Sequence, residues 1–101
     1  MRAMAHATLS THVLDTAFGK PRAGIRVALF QAEHLVAHGE TDGEGRIAEL
    51  ARDLEPGSYR LVFSIGGAFL EEVAVTIRVD QGHYHVPLLV SPFGATTYRG
   101  S

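Results

Sequence analysis

Alternation is the dominant pattern along this chain. Over residues 8–14, Leu9, Thr11 and Val13 fall on one side of an extended backbone while Ser10, His12 and Leu14 fall on the other. Over residues 24–30, Ile25, Val27 and Leu29 alternate with Arg26, Ala28 and Phe30, which predicts a second strand that buries its isoleucine side. A third strand is predicted over residues 35–39. The clearest one spans residues 59–65, where Tyr59, Leu61, Phe63 and Ile65 share a face. Further strands are predicted over residues 73–79, 83–91 and 96–99. Sustained helical periodicity is scarce, so the pattern of about seven or eight short strands predicts an all-β sandwich or barrel.

Turn chemistry separates these runs. Asp15, Gly19 and Pro21 mark residues 15–22 as a loop. Asp42, Gly43, Glu44 and Gly45 form a dense turn signal of the kind that closes tight hairpins, with Arg46 and Ile47 opening a short fourth strand after it. Residues 48–54 place Leu50 and Leu54 four apart, as on a helix, but the run is too short to nucleate one and reads as irregular. Glu55 to Ser58 turns the chain again, Gly66 and Gly67 end the next strand, and Asp80, Gln81 and Gly82 read as a hairpin turn. Pro87 lies inside the run 83–91; lacking an N–H, it is expected at an unpaired edge or a bulge.

The 101 residues suffice for one domain, expected over residues 1–101 with residues 1–7 flexible. A domain this small buries only about two-thirds of its unfolded surface, so association with further copies would add stability. At 46% hydrophobic and 20% charged residues the composition is that of a folded chain. The formal charge of -2 provides no positive field for phosphate backbones or anionic lipid, so neither nucleic acid nor a membrane is expected as a partner. The chain has no cysteine, which removes disulfides, thiolate catalysis and thiolate ligation. Neither a signal-peptide pattern nor an apolar run of membrane-spanning length is apparent, and a cytoplasmic location is expected.

Six histidines, at 6, 12, 34, 38, 83 and 85, put several near-neutral titrating groups into a short chain. His83 and His85 project from one face of a strand, a spacing that suits shared acid–base work or metal ligation, and equally suits half-exposed residues at a subunit contact. His12 lies between Thr11 and Val13, where an imidazole satisfied by a backbone carbonyl is the plain alternative to a catalytic one. Arg46 follows the glycine-rich turn and either faces a cleft or is solvated.

Taken in order, Leu9-Ser10-Thr11-His12-Val13-Leu14-Asp15, Gly45-Arg46, the run His83-Tyr84-His85-Val86-Pro87-Leu88-Leu89-Val90-Ser91-Pro92 and the terminal Thr97-Tyr98-Arg99-Gly100-Ser101 resemble the signature segments of the 5-hydroxyisourate hydrolases, the transthyretin-like enzymes. The resemblance implies a transthyretin-like β-sandwich of two four-stranded sheets. It also implies a homotetramer, a dimer of dimers with active sites at the dimer–dimer interface. The implied reaction is hydrolysis of 5-hydroxyisourate to 2-oxo-4-hydroxy-4-carboxy-5-ureidoimidazoline in urate breakdown, without metal or other cofactor. Carried over by motif, the catalytic residues are His12, Arg46, His85 and Ser101, with His12, Arg46, Tyr98 and Ser101 holding the substrate. His83 is left as a neighbour of lesser role, and either His12 or His85 is the base. One departure is visible: residues 66–72 are too few for the short helix usual in the family, so that helix is expected to be shortened or absent, and the tetramer becomes a question.

Other readings use the same residues. Transthyretin shares the fold but carries hormone and lacks the histidine, arginine and terminal set, so a small-ligand binding protein without catalysis is the alternative. His12, His83 and His85 could form a three-histidine zinc site with an open position for water. A structural immunoglobulin-like module would also fit the strand spacing, and it would leave the motif residues without a purpose.

Overall fold

An extended chain with alternating apolar side chains buries them only when its strands line up into sheets and two sheets close face to face. A computed structural model of the chain describes residues 6–100, and it takes this solution. Nine strands are present among the described residues: β1 (Ala7–Asp15), β2 (Lys20–Pro21), β3 (Arg26–Gln31), β4 (His34–Glu40), β5 (Arg46–Leu54), β6 (Gly57–Ser64), β7 (Glu72–Val79), β8 (Gly82–Ser91) and β9 (Gly94–Thr97). One sheet runs β2-β1-β8-β9 with β5 also on β1, and the other runs β4-β3-β6-β7. β8 occupies one edge of β1 along its whole length while β5 and the two-residue β2 share the other, so the first sheet has five strands rather than the four expected, the short β2 being the addition. The transthyretin-like sandwich expected from the sequence is therefore present.

The faces divide as the alternation predicts. Leu9, Val13, Leu29, Leu61, Phe63 and Leu88 are fully buried between the sheets, joined by Val27, Val86 and Val90. Thr11 is buried in the same layer, and its hydroxyl donates to the carbonyl of Val86 at 2.6 Å, which satisfies that buried polar group. Ser10 and His12 project from the opposite, outer face of the sheet.

Several local expectations are corrected. Residues 48–54 are not irregular but continue β5 through Leu54. Two register shifts against β1 change the phase of the strand, so that Leu50, Ala51 and Leu54 can all be buried, and this imitates helical spacing. The turns at Asp42–Gly45 and Asp80–Gly82 are not hairpins: β4 and β5 belong to different sheets, as do β7 and β8, so each turn carries the chain across the sandwich. The loop over 15–22 contains the short β2. Pro87 is paired with β1 on one side of β8 and, as expected, faces an unpaired position on the other. Pairing with β9 stops at Leu88–Thr97 and resumes in the same register only at the bridge His85–Gly100, so the missing N–H falls in a gap of the ladder.

The connection from β6 to β7 is a tight loop in which the amides of Ile65 and Gly66 both donate to the carbonyl of Glu71, and no helix is present among the described residues. The short helix that the resemblance implies is thus absent among the described residues, in line with the shortness of residues 66–72. No helix among the described residues is long and apolar enough to cross a membrane. Of the stretch expected to be flexible, residues 1–5 lie outside the described residues, whereas Ala7 is buried in β1 and the carbonyl of His6 accepts from Gly82 N–H at 3.2 Å.

Candidate active site

The parallel pairing of β1 with β8 is what assembles the site. It sets Thr8 opposite His83, Ser10 opposite His85 and His12 opposite Pro87, while antiparallel pairing on the other edge sets His12 opposite Arg46. Residues opposite one another on neighbouring strands share a face, so these side chains gather on the outer surface of the sheet.

Arg46 owes its place to the turn before it. The Asp42 carboxylate accepts from the amides of Glu44 at 2.9 Å and Arg46 at 3.0 Å, and these bonds, that to Arg46 first, hold its pKa below the usual carboxylate value. Gly45 has φ +76°, and a Cβ there would lie 2.5 Å from the carbonyl oxygen of Val13, so only glycine lets the turn sit this close to β1. The carbonyl of Gly45 in turn accepts from Val13 N–H at 2.7 Å. The guanidinium that leaves this turn is exposed, with only a loose 3.9 Å approach to Glu44.

His12 donates from Nε2 to the carbonyl of Glu44 at 2.9 Å. A carbonyl can only accept, so Nε2 carries the proton and Nδ1 is left for other work. His85 is half-buried; burial, then repulsion from His12, Arg46 and His83, lowers its pKa from the ordinary imidazole value, which favours the neutral ring. Its Nδ1 lies 2.7 Å from Ser10 Oγ. Gly100 closes over it: the glycine N–H donates to the carbonyl of His85 at 2.7 Å, and a Cβ at this position would lie 2.7 Å from His85 Cδ2.

Arg46 and His85 line one cavity of about 230 Å³ together with Ser10, Thr11, Ile47 and Ala48, and His12 is adjacent through its pairing with Arg46. Tyr98 is not brought to this cavity within one chain. It lines a separate cleft of about 410 Å³ with Val75, Ile77, Tyr84 and Val86, between the β7 edge of one sheet and the β9 edge of the other. Ser101 lies outside the described residues. Sequence reasoning passed over Ser10 and Thr8 and ranked His83 low, yet His83 has both ring nitrogens engaged, by Thr8 and Ser10. The signal for them was the shared two-residue phase of Thr8, Ser10 and His12 with His83 and His85, which becomes meaningful only once β1 and β8 are known to be neighbours. Among the described residues no group of three or more His, Cys, Asp or Glu side chains is gathered to hold a metal ion, so His12, His83 and His85 do not form the zinc cluster considered from their spacing.

The fold and this surface define a two-sheet β-sandwich with imidazoles and a guanidinium on the outer face of one sheet. A family model described as the HIUase/Transthyretin family matches residues 9–100. The chain belongs to that family. A 5-hydroxyisourate hydrolase of Mesorhizobium japonicum is 42% identical over 113 aligned positions, covering 92% of this chain and 91% of the relative. The structure of Klebsiella pneumoniae 5-hydroxyisourate hydrolase superposes with TM-score 0.88 at 33% identity, covering 94% of this chain and 99% of that one. Sea bream transthyretin, solved with thyroxine, superposes with TM-score 0.82 at 26% identity, covering 91% of this chain and 93% of that one.

Proposed function

We propose that this chain hydrolyses 5-hydroxyisourate to 2-oxo-4-hydroxy-4-carboxy-5-ureidoimidazoline. The observation that carries the reading is the convergence of His85 and Arg46 on one cavity with His12 beside it, three residues from distant segments to which the resemblance assigns the catalytic roles. Opening a cyclic amide by water requires a base, a group that stabilises the developing oxyanion, and a proton for the leaving nitrogen. His85 is suited to be the base, because a depressed pKa keeps its ring neutral at neutral pH. It takes the proton of the attacking water as the water oxygen bonds to the ring carbonyl. Arg46, charged at every relevant pH, offers a planar fork of donors to the carbonyl oxygen that becomes negative. As the C–N bond breaks, His12, held through Nε2 by the Glu44 carbonyl, receives on its Nδ1 lone pair the proton that His85 took from the water and passes it to the leaving nitrogen, so that both rings end neutral. No step calls for a metal.

Tyr98 and Ser101 orient the substrate from a neighbouring subunit in this reading, since within one chain Tyr98 lines a different cleft. The assembly is a homotetramer, a dimer of dimers with its sites at the dimer–dimer interface, where a second subunit would cover the open sheet face and exclude water. The whole of residues 1–101 acts as one domain, in the cytoplasm, a compartment that suits a chain without cysteine.

The test is the absorbance decay of 5-hydroxyisourate generated in situ by urate oxidase. The protein is expected to accelerate it, and His85→Ala to lower turnover about 10²- to 10⁴-fold with folding retained. Equal decay with the variant removes His85 from the mechanism. Thyroxine binding without any hydrolysis would support instead the carrier reading that the likeness to sea bream transthyretin raises.

A further inference from the structure

The hydrolysis proposed above leaves Ser10, His83 and Thr8 without a part, yet they form an unbroken line that ends on the base. Thr8 Oγ1 lies 2.6 Å from His83 Nδ1, His83 Nε2 lies 2.9 Å from Ser10 Oγ, and the same oxygen lies 2.7 Å from His85 Nδ1. Ser10 is buried, although it stands on the outer face of the sheet. The line exists because β1 and β8 run parallel in a register that pairs Thr8 with His83 and Ser10 with His85.

A hydroxyl and a neutral imidazole each carry one proton to donate, so the order of donors along the line is coupled from end to end. In one order His85 donates from Nδ1 to Ser10, Ser10 donates to His83 Nε2, and His83 donates from Nδ1 to Thr8. His85 Nε2 is then a free lone pair. In the opposite order Ser10 donates to His85 Nδ1, the His85 proton sits on Nε2, and that nitrogen cannot accept one from water. With Nδ1 engaged by Ser10, Nε2 is the nitrogen left for the reaction, and only the first order makes it a base.

We propose that His83, acting through Ser10, is a positioning residue that holds His85 in its Nδ1–H form and so keeps Nε2 available to take the proton of the attacking water. The inference rests on the reading of His85 as base. The water's proton moves to Nε2, its oxygen electron pair forms the new C–O bond, and the Nδ1–H stays with Ser10. That bond strengthens when the ring becomes charged, because a charged donor makes a shorter and stronger hydrogen bond. The titratable and charged groups that face His85 are His12 on β1, Arg46 on β5 and His83 on its own strand. From the tail, Arg99 reaches the backbone carbonyl of His83 at 3.5 Å and does not engage its ring.

The experiment combines nitrogen NMR of the histidine rings in the intact protein with turnover of 5-hydroxyisourate and its pH profile. In the unaltered protein His85 is expected to show a protonated Nδ1 and an unprotonated Nε2 above its pKa. Ser10→Ala and His83→Phe should each lower kcat by about tenfold or more, leave KM within about twofold, and move the His85 ring signals toward the other tautomer. His83→Gln, whose amide oxygen can accept from Ser10 but cannot titrate, should restore most of the turnover and the Nδ1–H form. A purely structural role for His83 would not move the tautomer signals. A protonated Nε2 in the unaltered protein overturns the proposal, as does turnover at the original level in both Ser10→Ala and His83→Phe. If His85→Ala loses activity while those two variants keep it, the relay alone fails; if His85→Ala keeps activity, the base reading itself fails.

Discussion

Gly100 gives the most direct check on how the site is built, because its backbone and its missing side chain act on the same histidine. The N–H anchors the tail to the carbonyl of His85 at 2.7 Å, while the bare Cα lets the chain pass across the imidazole. In Gly100→Ala the new Cβ would start 2.7 Å from His85 Cδ2 and 3.4 Å from its Cβ and Cγ. Carbon atoms at rest sit about 3.5–4.0 Å apart, so roughly 1 Å of relief must come from the ring or from the tail. Should the ring give way, it leaves Ser10, and a misplacement of about 1 Å at a reacting group lowers turnover about 10²-fold. Should the tail give way, one backbone hydrogen bond is lost, about 1 kcal/mol, and the tail leaves its seat over the ring. Both routes reduce kcat/KM while the fold survives, since Gly100 is not part of the core. The assay is 5-hydroxyisourate decay in parallel with thermal unfolding: a large loss of activity with Tm lowered by no more than about 8 °C is expected. Turnover at the original level, with unchanged His85 ring signals, would refute the argument.

The acid limb of the kcat/KM profile should have its midpoint below the ordinary imidazole value of about 6.5, because burial, and then repulsion from His12, Arg46 and His83, favours neutral His85; Arg46→Met should raise that midpoint while lowering the plateau. The same shift has a consequence for stability. Folded His85 binds a proton less readily than the unfolded chain does, so its contribution is complete above the unfolded value and is lost as pH falls through the folded one, which denaturant midpoints across that window would show. Gly45→Ala must place a Cβ 2.5 Å from Val13 O at φ +76° and should destabilise by about 1–3 kcal/mol in urea unfolding, with KM raised because the same turn aims Arg46. Thr41 is buried, accepting from Ile25 N–H at 2.9 Å and donating to the carbonyl of Arg22 at 2.7 Å; Thr41→Val should cost about 1–3 kcal/mol by leaving that amide unpaired, and an unchanged urea midpoint would count against it.

Some of this molecule was legible in the chain alone, and the division has a physical cause. A strand's pleat has a period of two whatever lies beside it, so Leu9, Thr11 and Val13, or Tyr59, Leu61 and Phe63, announce a buried face without reference to any neighbour. Motif residues were likewise readable, and Arg46 could be tied to its turn because Asp42 and Gly45 are close in sequence. The bulges of β5 were hidden, since a shifted phase looks like helical spacing until its partner strand is known. The same holds for the turns at Asp42 and Asp80, whose local chemistry is that of a hairpin although each crosses between sheets. Which strand lies beside which is settled by closing the two sheets over one core, a property of the whole chain. That choice put β8 parallel to β1, and only then could one buried hydroxyl, Ser10, stand between His83 and His85. Sequence determined the faces of the strands and the residues with chemistry to offer; tertiary structure decided which of them meet, because contacts between residues more than seventy positions apart depend on sheet order and register, to which no local pattern has access.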